Sequence, residues 1–506
     1  MAHRNHHAAM AANPSPIEAT GVPGLDHILR GGLPAGQLYL LEGQSGAGKT
    51  TLGLQFLLEG VRLGQTVLWC TLSENEAQLR STARSHGWDL TGVTIANLAG
   101  GGGDDALLGP QYSFFSPGDI ELQDVSRAIV DLADRVRPQR VVFDPFSDIK
   151  LLARDPLRYR RQLLQLREHF SSLGSTVLLI QEYGLEAPSD PAGEGVVHGI
   201  IGLYQHAPAY GKPRRRIRVH KLRGLDYREG FHDVALQTGG LVVYPRLSAG
   251  EHELPERRDE ISSGSADLDQ MLGGGLDRGS SMLIMGPSGG GKSTLCSQFA
   301  LSSALRGEKS AVYLFDETRR AFLARAEGLG MPAQEQVNNG TMRLVQVNPA
   351  EFSPGEFAHM VRSSVENDGI EVVVIDSLNG YLSGMPDESH LAMHMHELLT
   401  YLSLRNVVTL LTLNQQGMLS EASSIQMDVT YLADAAIMLR YFEAAGAVRR
   451  AISVMKRRCG PHEVLIREMT IAPPGIHVGA PLDNLRGVLT GQPELDRTAQ
   501  GVPAAR

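Results

Sequence analysis

Two stretches restrict this chain more tightly than anything else in it. Gly43-Gln44-Ser45-Gly46-Ala47-Gly48-Lys49-Thr50 and Gly286-Pro287-Ser288-Gly289-Gly290-Gly291-Lys292-Ser293 both read G-x-x-x-x-G-K-[ST]. Each follows an apolar, strand-like run (Gln37 to Leu41; Ser281 to Met285) and opens a helix-like one beginning Thr51-Leu52 or Thr294-Leu295. A glycine-rich turn lets many backbone N–H groups converge on phosphate oxygens, and the helix N-terminus adds partial positive charge. Lys49 and Lys292 are placed to reach the β- and γ-phosphates of a nucleoside triphosphate. The Thr50 and Ser293 hydroxyls face Mg²⁺. Two loops in matching contexts leave little room for a chance glycine turn.

The loops belong to a longer duplication. Gly21-Val22-Pro23-Gly24-Leu25-Asp26 through Gly31-Gly32-Leu33 returns as Gly264-Ser265-Ala266-Asp267-Leu268-Asp269 through Gly274-Gly275-Leu276. The spacing is 243 residues, as it is from Gly43 to Gly286. Asp144 and Asp376 end apolar runs at similar spacing, and Lys221-Leu222-Arg223 is echoed by Lys456-Arg457-Arg458. Within each copy, continuous apolar runs such as Arg140 to Phe143, Thr176 to Ile180, Glu371 to Ile375 and Val407 to Leu413 alternate with helical patterns. Those patterns include Glu76 to His86, Arg158 to Leu173 and Ala392 to Arg405. That alternation predicts a mostly parallel sheet covered by helices on both faces. Each copy then turns to antiparallel-looking β, at Arg214 to Lys221 and Phe231 to Tyr244, and at Ala435 to Tyr441, Arg450 to Lys456 and Val464 to Ile471. The expected organisation is a tail over 1–16, one α/β domain over 17–248, a linker over 249–260, a second domain over 261–486 and a frayed tail over 487–506. Gly100 to Gly109 reads as a glycine-rich mobile loop.

Bulk properties narrow the function classes. A net charge of −9 in 506 residues gives no broad basic field, so nucleic acid or a membrane surface is not the expected partner. The basic run Lys212 to Arg216 is the feature that keeps a RecA/RadA-like nucleic-acid-binding alternative open. No apolar run approaches a transmembrane length and the start lacks a signal-peptide pattern, so a cytoplasmic protein is expected. His3, His6 and His7 read as part of a tail, and Cys70, Cys296 and Cys459 lack metal-ligand spacing and read as buried or half-buried thiols.

Hydrolysis needs a strand-end carboxylate for Mg²⁺, a part that Asp144 and Asp376 fill beside Thr50 and Ser293. It also needs an acid that polarises water. Glu74 follows the Val67–Leu72 run, and Asp316-Glu317 follow Tyr313-Leu314-Phe315. The expected nucleotide contacts are Gly43, Ser45, Gly46, Ala47, Gly48, Lys49, Thr50 and Thr51 in the first copy. In the second they are Gly286, Ser288, Gly289, Gly290, Gly291, Lys292, Ser293 and Thr294.

With these residues in place, the chain resembles the KaiC family, RecA-superfamily clock ATPases and autokinases. The likeness covers roughly residues 17–492 and rests on several features. They are the duplicated lead-in, the P-loops, the acids after the second strand, Asp376-Ser377, the Lys-x-Arg pairs, Arg80 to Leu90 and Ile466-Arg467-Glu468. The resemblance implies tandem RecA-like domains in a double-ring hexamer with ATP and Mg²⁺ between subunits. Lys221, Arg223, Lys456 and Arg458 would reach the neighbour's γ-phosphate. It also implies autokinase activity in the second domain, circadian-type or other signalling, and a KaiB-like or signalling partner. There are departures. Ser73-Glu74 lacks the first of the family's two acids, which puts turnover, though not binding, of the first copy in question, and Asp316 shortens it in the second. Pro145 stands where the second copy has Ser377. The family's neighbouring Ser and Thr acceptors align with Thr430-Tyr431, which leaves Thr430 as the candidate phosphoacceptor. The family's activator-binding C-terminal tail is short here. A nucleotide-gated scaffold with feeble catalysis is the third reading.

Overall fold

Apolar, β-branched runs flanked by helices cannot stay half-exposed, and they assemble here into two sheets of one topology. The protein is described from a computed structural model covering residues 16–71, 75–98, 122–153, 155–182, 194–208, 211–247, 254–255, 257, 259–383, 390–415, 430–490 and 494–495. The chain divides into two compact units, 1–246 and 247–506.

In unit 1 the sheet strands are β1 (Leu38–Gly43), β2 (Val67–Thr71), β3 (Val93–Asn97), β4 (Arg140–Phe143), β5 (Thr176–Glu182), β6 (Gly199–His206), β7 (Arg214–Leu222), β8 (His232–Gln237) and β9 (Gly240–Tyr244). They lie in the order β3-β2-β4-β5-β1-β6-β7-β8-β9. The first six are mutually parallel, and the last three fold back antiparallel. Unit 2 repeats the plan with β10 (Ser281–Gly286), β11 (Lys309–Leu314), β12 (Met342–Gln346), β13 (Ile370–Asp376), β14 (Val408–Asn414), β15 (Ala435–Ala444), β16 (Ala447–Arg457), β17 (Arg467–Ala472) and β18 (Gly475–Pro481). Its order is β12-β11-β13-β14-β10-β15-β16-β17-β18. These are two tandem RecA-like α/β domains with antiparallel additions, as the sequence patterns predict.

Each sheet carries a core on both faces. In unit 1, Tyr39, Leu41, Trp69, Val142 and Ile180 pack with α1 (Lys49–Arg62), and Leu38, Leu40, Val141 and Leu179 pack with the helix Pro156–Leu173. In unit 2, α2 (Lys292–Leu305) and the helices Pro354–Asp368 and Leu391–Leu404 do the same. A short hairpin precedes each sheet, Ile17–Glu18 with Leu33–Pro34 and Glu260–Ile261 with Leu276–Asp277. A buried arginine pins each one. Arg140 bonds Glu18, Gln65 and the Ala19 and Phe56 carbonyls. Arg278 reaches Asp259, Glu308 and Glu371. The Arg278 hydrogen bond is the largest cause holding the Asp259 carboxyl down at about 2.

Some of the expected loop is structure. Leu254 and Arg257 bond Leu404 and Asn406, and Leu247, expected at the end of the first domain, is buried in the unit 2 core. Past Arg486, where fraying is expected, Val488 is 1% exposed against Phe442 and Ala451, and Glu494–Leu495 pairs with Leu485–Arg486. Apolar Val488 has a groove to fill, which outweighs the polar composition around it. Cys70 and Cys296 are buried, and Cys459 is exposed. The glycine-rich Gly100 to Gly109 lies outside the described residues. No described helix is long and apolar enough to cross a membrane.

Replacing Arg140 by Met keeps its stem but leaves Glu18, 16% exposed, facing no guanidinium. We expect unit 1 to lose about 3 kcal/mol. The loss is read from the denaturant dependence of hydrogen exchange in Val67–Thr71 and Arg140–Phe143, and unchanged exchange would show that the clamp is idle.

Candidate functional site

Parallel strands bring their carboxyl ends to one sheet edge, where ligands of such folds bind. The P-loops sit there, each between a central strand and its helix. Helix caps Gly48 and Gly291 take φ of 106° and 107°, and Gly46 and Gly289 take 76° and 74°. These left-handed values admit glycine readily and strain other residues. Gly43 and Gly286 are required for another reason. A Cβ there would stand 2.2 Å from the Leu203 carbonyl and 2.5 Å from that of Leu439.

The lysines are buried at the loop centre, 5% and 6% exposed. Lys49 Nζ donates to the Gln44 carbonyl at 2.8 Å and to Glu182 Oε1 at 3.3 Å. Lys292 Nζ donates to the carbonyls of Gly286 at 3.0 Å and Pro287 at 2.8 Å. Burial lowers the Lys292 pKa, with the nearby Asp376 charge opposing. A triphosphate arriving at that ammonium would meet a cation poorly solvated by water, which strengthens the attraction.

Asp144 and Asp376 reach this edge from β4 and β13. Thr50 Oγ1 donates to Asp144 Oδ2 at 2.6 Å, so the hydroxyl and carboxylate expected to share a magnesium ion lie side by side. Asp376 Oδ1 accepts from Thr412 at 2.6 Å. The structure separates the two acids of copy two. The Ser377 hydroxyl donates to the Asp316 carboxylate, which holds Asp316 beside Asp376. Glu317 turns to Arg325, 2.9 Å away, and Arg325 also bonds Ser297. Glu74 lies outside the described residues.

The four candidate cations stand elsewhere. Lys221 is level with Ile200, and Ile200 with Leu40, three positions before Gly43. Lys456 is level with Ala436, and Ala436 with Leu283, three positions before Gly286. At about 3.3 Å per residue this is roughly 10 Å down the sheet from the loop of the same domain. Lys221 Nζ turns further off, to the Glu194 carbonyl at 2.5 Å and that of Val197 at 3.0 Å, while Arg223 reaches Gly195. Lys456 bonds the Ala433 carbonyl at 2.7 Å, and Arg458 bonds Asp434 and the Tyr431 carbonyl. Thr430 opens the short turn Thr430–Leu432 at this same edge, and Tyr431 is 51% exposed. Arg457, between the two cations, is structural and bonds Glu260 and Asp277.

Three residues at the loops escape sequence reasoning. Arg215, from the basic run Lys212 to Arg216, donates to the Gly46 carbonyl at 3.3 Å, and its neighbour Arg216 pairs with Asp233. Glu182 and Asn414 end β5 and β14, level with Gly43 and Gly286. Only the sheet order, with β5 beside β1, makes that adjacency visible.

Two RecA-like domains, each setting a P-loop against a strand-end carboxylate, define a tandem P-loop ATPase. The chain belongs to the KaiC family, whose sequence pattern, described as "ATPase: KaiC", matches residues 18–248 and 261–483. It is 29% identical over 479 residues to the circadian clock protein KaiC3 of Synechocystis sp., covering 94% of each chain. It is 26% identical over 502 residues to the circadian clock oscillator protein KaiC of Synechococcus elongatus, covering 96% of this chain and 94% of that protein.

Lys49→Ala and Lys292→Ala are each expected to weaken nucleotide binding at their own site by about 100-fold or more, as two charge-assisted phosphate contacts are lost. Titration with a fluorescent ATP analogue checks this, and wild-type affinity in both variants would show that the loops are not the binding sites.

Proposed function

We propose that this protein is an ATP-hydrolysing ring, a hexamer by analogy with its family, in which each nucleotide is held by one subunit and completed by the next. The observation that carries the reading is the position of Lys221, Arg223, Lys456 and Arg458. Lys221 and Lys456 lie roughly 10 Å down the sheet from the P-loop of their own domain, and Arg223 and Arg458 two residues further toward the opposite edge. A cation there is of no use to its own nucleotide, yet a head-to-tail neighbour would present its loop to that edge. The cation then stabilises charge developing on the transferred phosphoryl group.

Thr50 with Asp144, and Ser293 with Asp376, would hold Mg²⁺, which when bound neutralises phosphate charge. The adjacent Thr50 and Asp144 oxygens fit that task. Asp316, held by Ser377, is better placed than Glu317 to accept a proton from water at the second site, because Glu317 is committed to Arg325. Thr430 begins a turn whose Tyr431 carbonyl is bonded by Arg458. If a neighbour's γ-phosphate meets Arg458, the Thr430 backbone is close to it, and this nearness supports self-phosphorylation in the second domain. The expected role is a timer or signalling ATPase read by a protein partner. A nucleic-acid motor is less favoured, because Arg215 and Arg216 are engaged within unit 1.

Mixing tests the shared site. Lys292→Ala and Lys456→Ala/Arg458→Ala chains should each be inactive at the second site, while a one-to-one mixture should recover about a quarter of its interfaces. No recovery in co-assembled rings would place the cations in their own subunit's site. For the kinase reading, Thr430→Ala should remove the phosphate gained on incubation with Mg·ATP, measured by intact mass, and an unchanged gain would move the acceptor elsewhere.

A further inference from the structure

The two sites share a register but not a set of acids. On the outer flank, site 2 has Asp316 with its hydroxyl partner Ser377. The first copy has Ser73 and Pro145 at those positions, so acid and partner are both missing. On the inner flank the exchange runs the other way. The strand beside the P-loop strand ends in Glu182 in unit 1 and in Asn414, a neutral amide, in unit 2. Glu182 Oε1 lies 3.3 Å from Lys49 Nζ, while Lys292 donates to the backbone carbonyls of its own loop.

We propose that Glu182 is the catalytic base of site 1, taking over in this domain the part that Asp316 plays in the other. The inference rests on the reading of both sites as ATP-hydrolysing. A P-loop lysine reaches the β- and γ-phosphates. A carboxylate one hydrogen bond beyond its ammonium therefore stands within about 6 Å of the γ-phosphate oxygens, two hydrogen-bond lengths at most, which leaves room for one water. The Glu182 side chain is 53% exposed, so water reaches it, and Lys49, 5% exposed, fixes its direction. In the step, the water oxygen bonds to the γ-phosphorus. The bond from that phosphorus to the β–γ bridging oxygen breaks, and its electron pair leaves with ADP. The water proton passes to the Glu182 carboxylate, which returns it to solvent once phosphate departs. Asn414 cannot accept that proton, so the second site depends on Asp316.

The test uses the full-length chain with site 2 silenced by Lys292→Ala, and in parallel by Asp316→Asn to guard against loss of assembly. Single-turnover ATP hydrolysis and binding of a fluorescent ATP analogue are both measured. Glu182→Gln should slow hydrolysis at site 1 about 100-fold while affinity stays within about threefold. A rate within about twofold of the parent overturns the proposal. So does a loss confined to affinity, which would make Glu182 a partner of Lys49 only. Loss of turnover in Glu74→Gln with Glu182→Gln active also overturns it and moves the base to Glu74. A parent that binds ATP at site 1 without hydrolysing it removes the proposal and leaves the binding site standing, whereas a parent that binds none removes both.

Discussion

The close approach of two backbones at the end of one strand governs both domains. Gly43 lies under the Leu203 carbonyl and Gly286 under that of Leu439, with no space for a Cβ. That contact seats the P-loop strand between a parallel neighbour on each side. The P-loop then turns over the sheet edge into its helix. The carboxylates of β4 and β13 arrive at the same edge because the strands are parallel. The antiparallel return of β7 and β16 has the opposite effect. It carries Lys221 and Lys456 back down the sheet, to a level three residues below the P-loop glycine of their own domain.

Identical topology does not mean identical sites. The two sheets have corresponding strand orders, and Gly46 and Gly48 match Gly289 and Gly291 in φ to within a few degrees. The polar groups around them diverge. Unit 1 sets Thr50 on Asp144 and Glu182 on Lys49. Unit 2 sets Thr412 on Asp376, Ser377 on Asp316 and Glu317 on Arg325. The same backbone around each loop thus carries acids on different strands in the two units.

Much of this is legible in the sequence. Parallel strands buried on both faces show as unbroken apolar runs, so β4, β5, β13 and β14 stand out, and the P-loops place themselves by motif. The strand β6 does not stand out, although it lies beside the P-loop strand. Its Gly199 and Gly202 lower its strand propensity. They are there because Tyr39 presses on one and His220 and Tyr204 on the other. Val488 was hidden by its polar surroundings. Glu182 and Arg215 were hidden for a deeper reason. A residue at a strand end gains meaning from which strand lies beside it, and pairing order is a long-range property that local pattern does not encode. The separate partners of Asp316 and Glu317 were equally out of reach, since Ser377 and Arg325 come from different elements.

The central claim is that nucleotide is bound between copies of the chain. Molecular mass in solution, by light scattering or sedimentation, tests it most directly with and without Mg·ATP. The account predicts a particle about six times the 54.7 kDa chain mass when Mg·ATP is bound. A 54.7 kDa monomer under saturating Mg·ATP would contradict it.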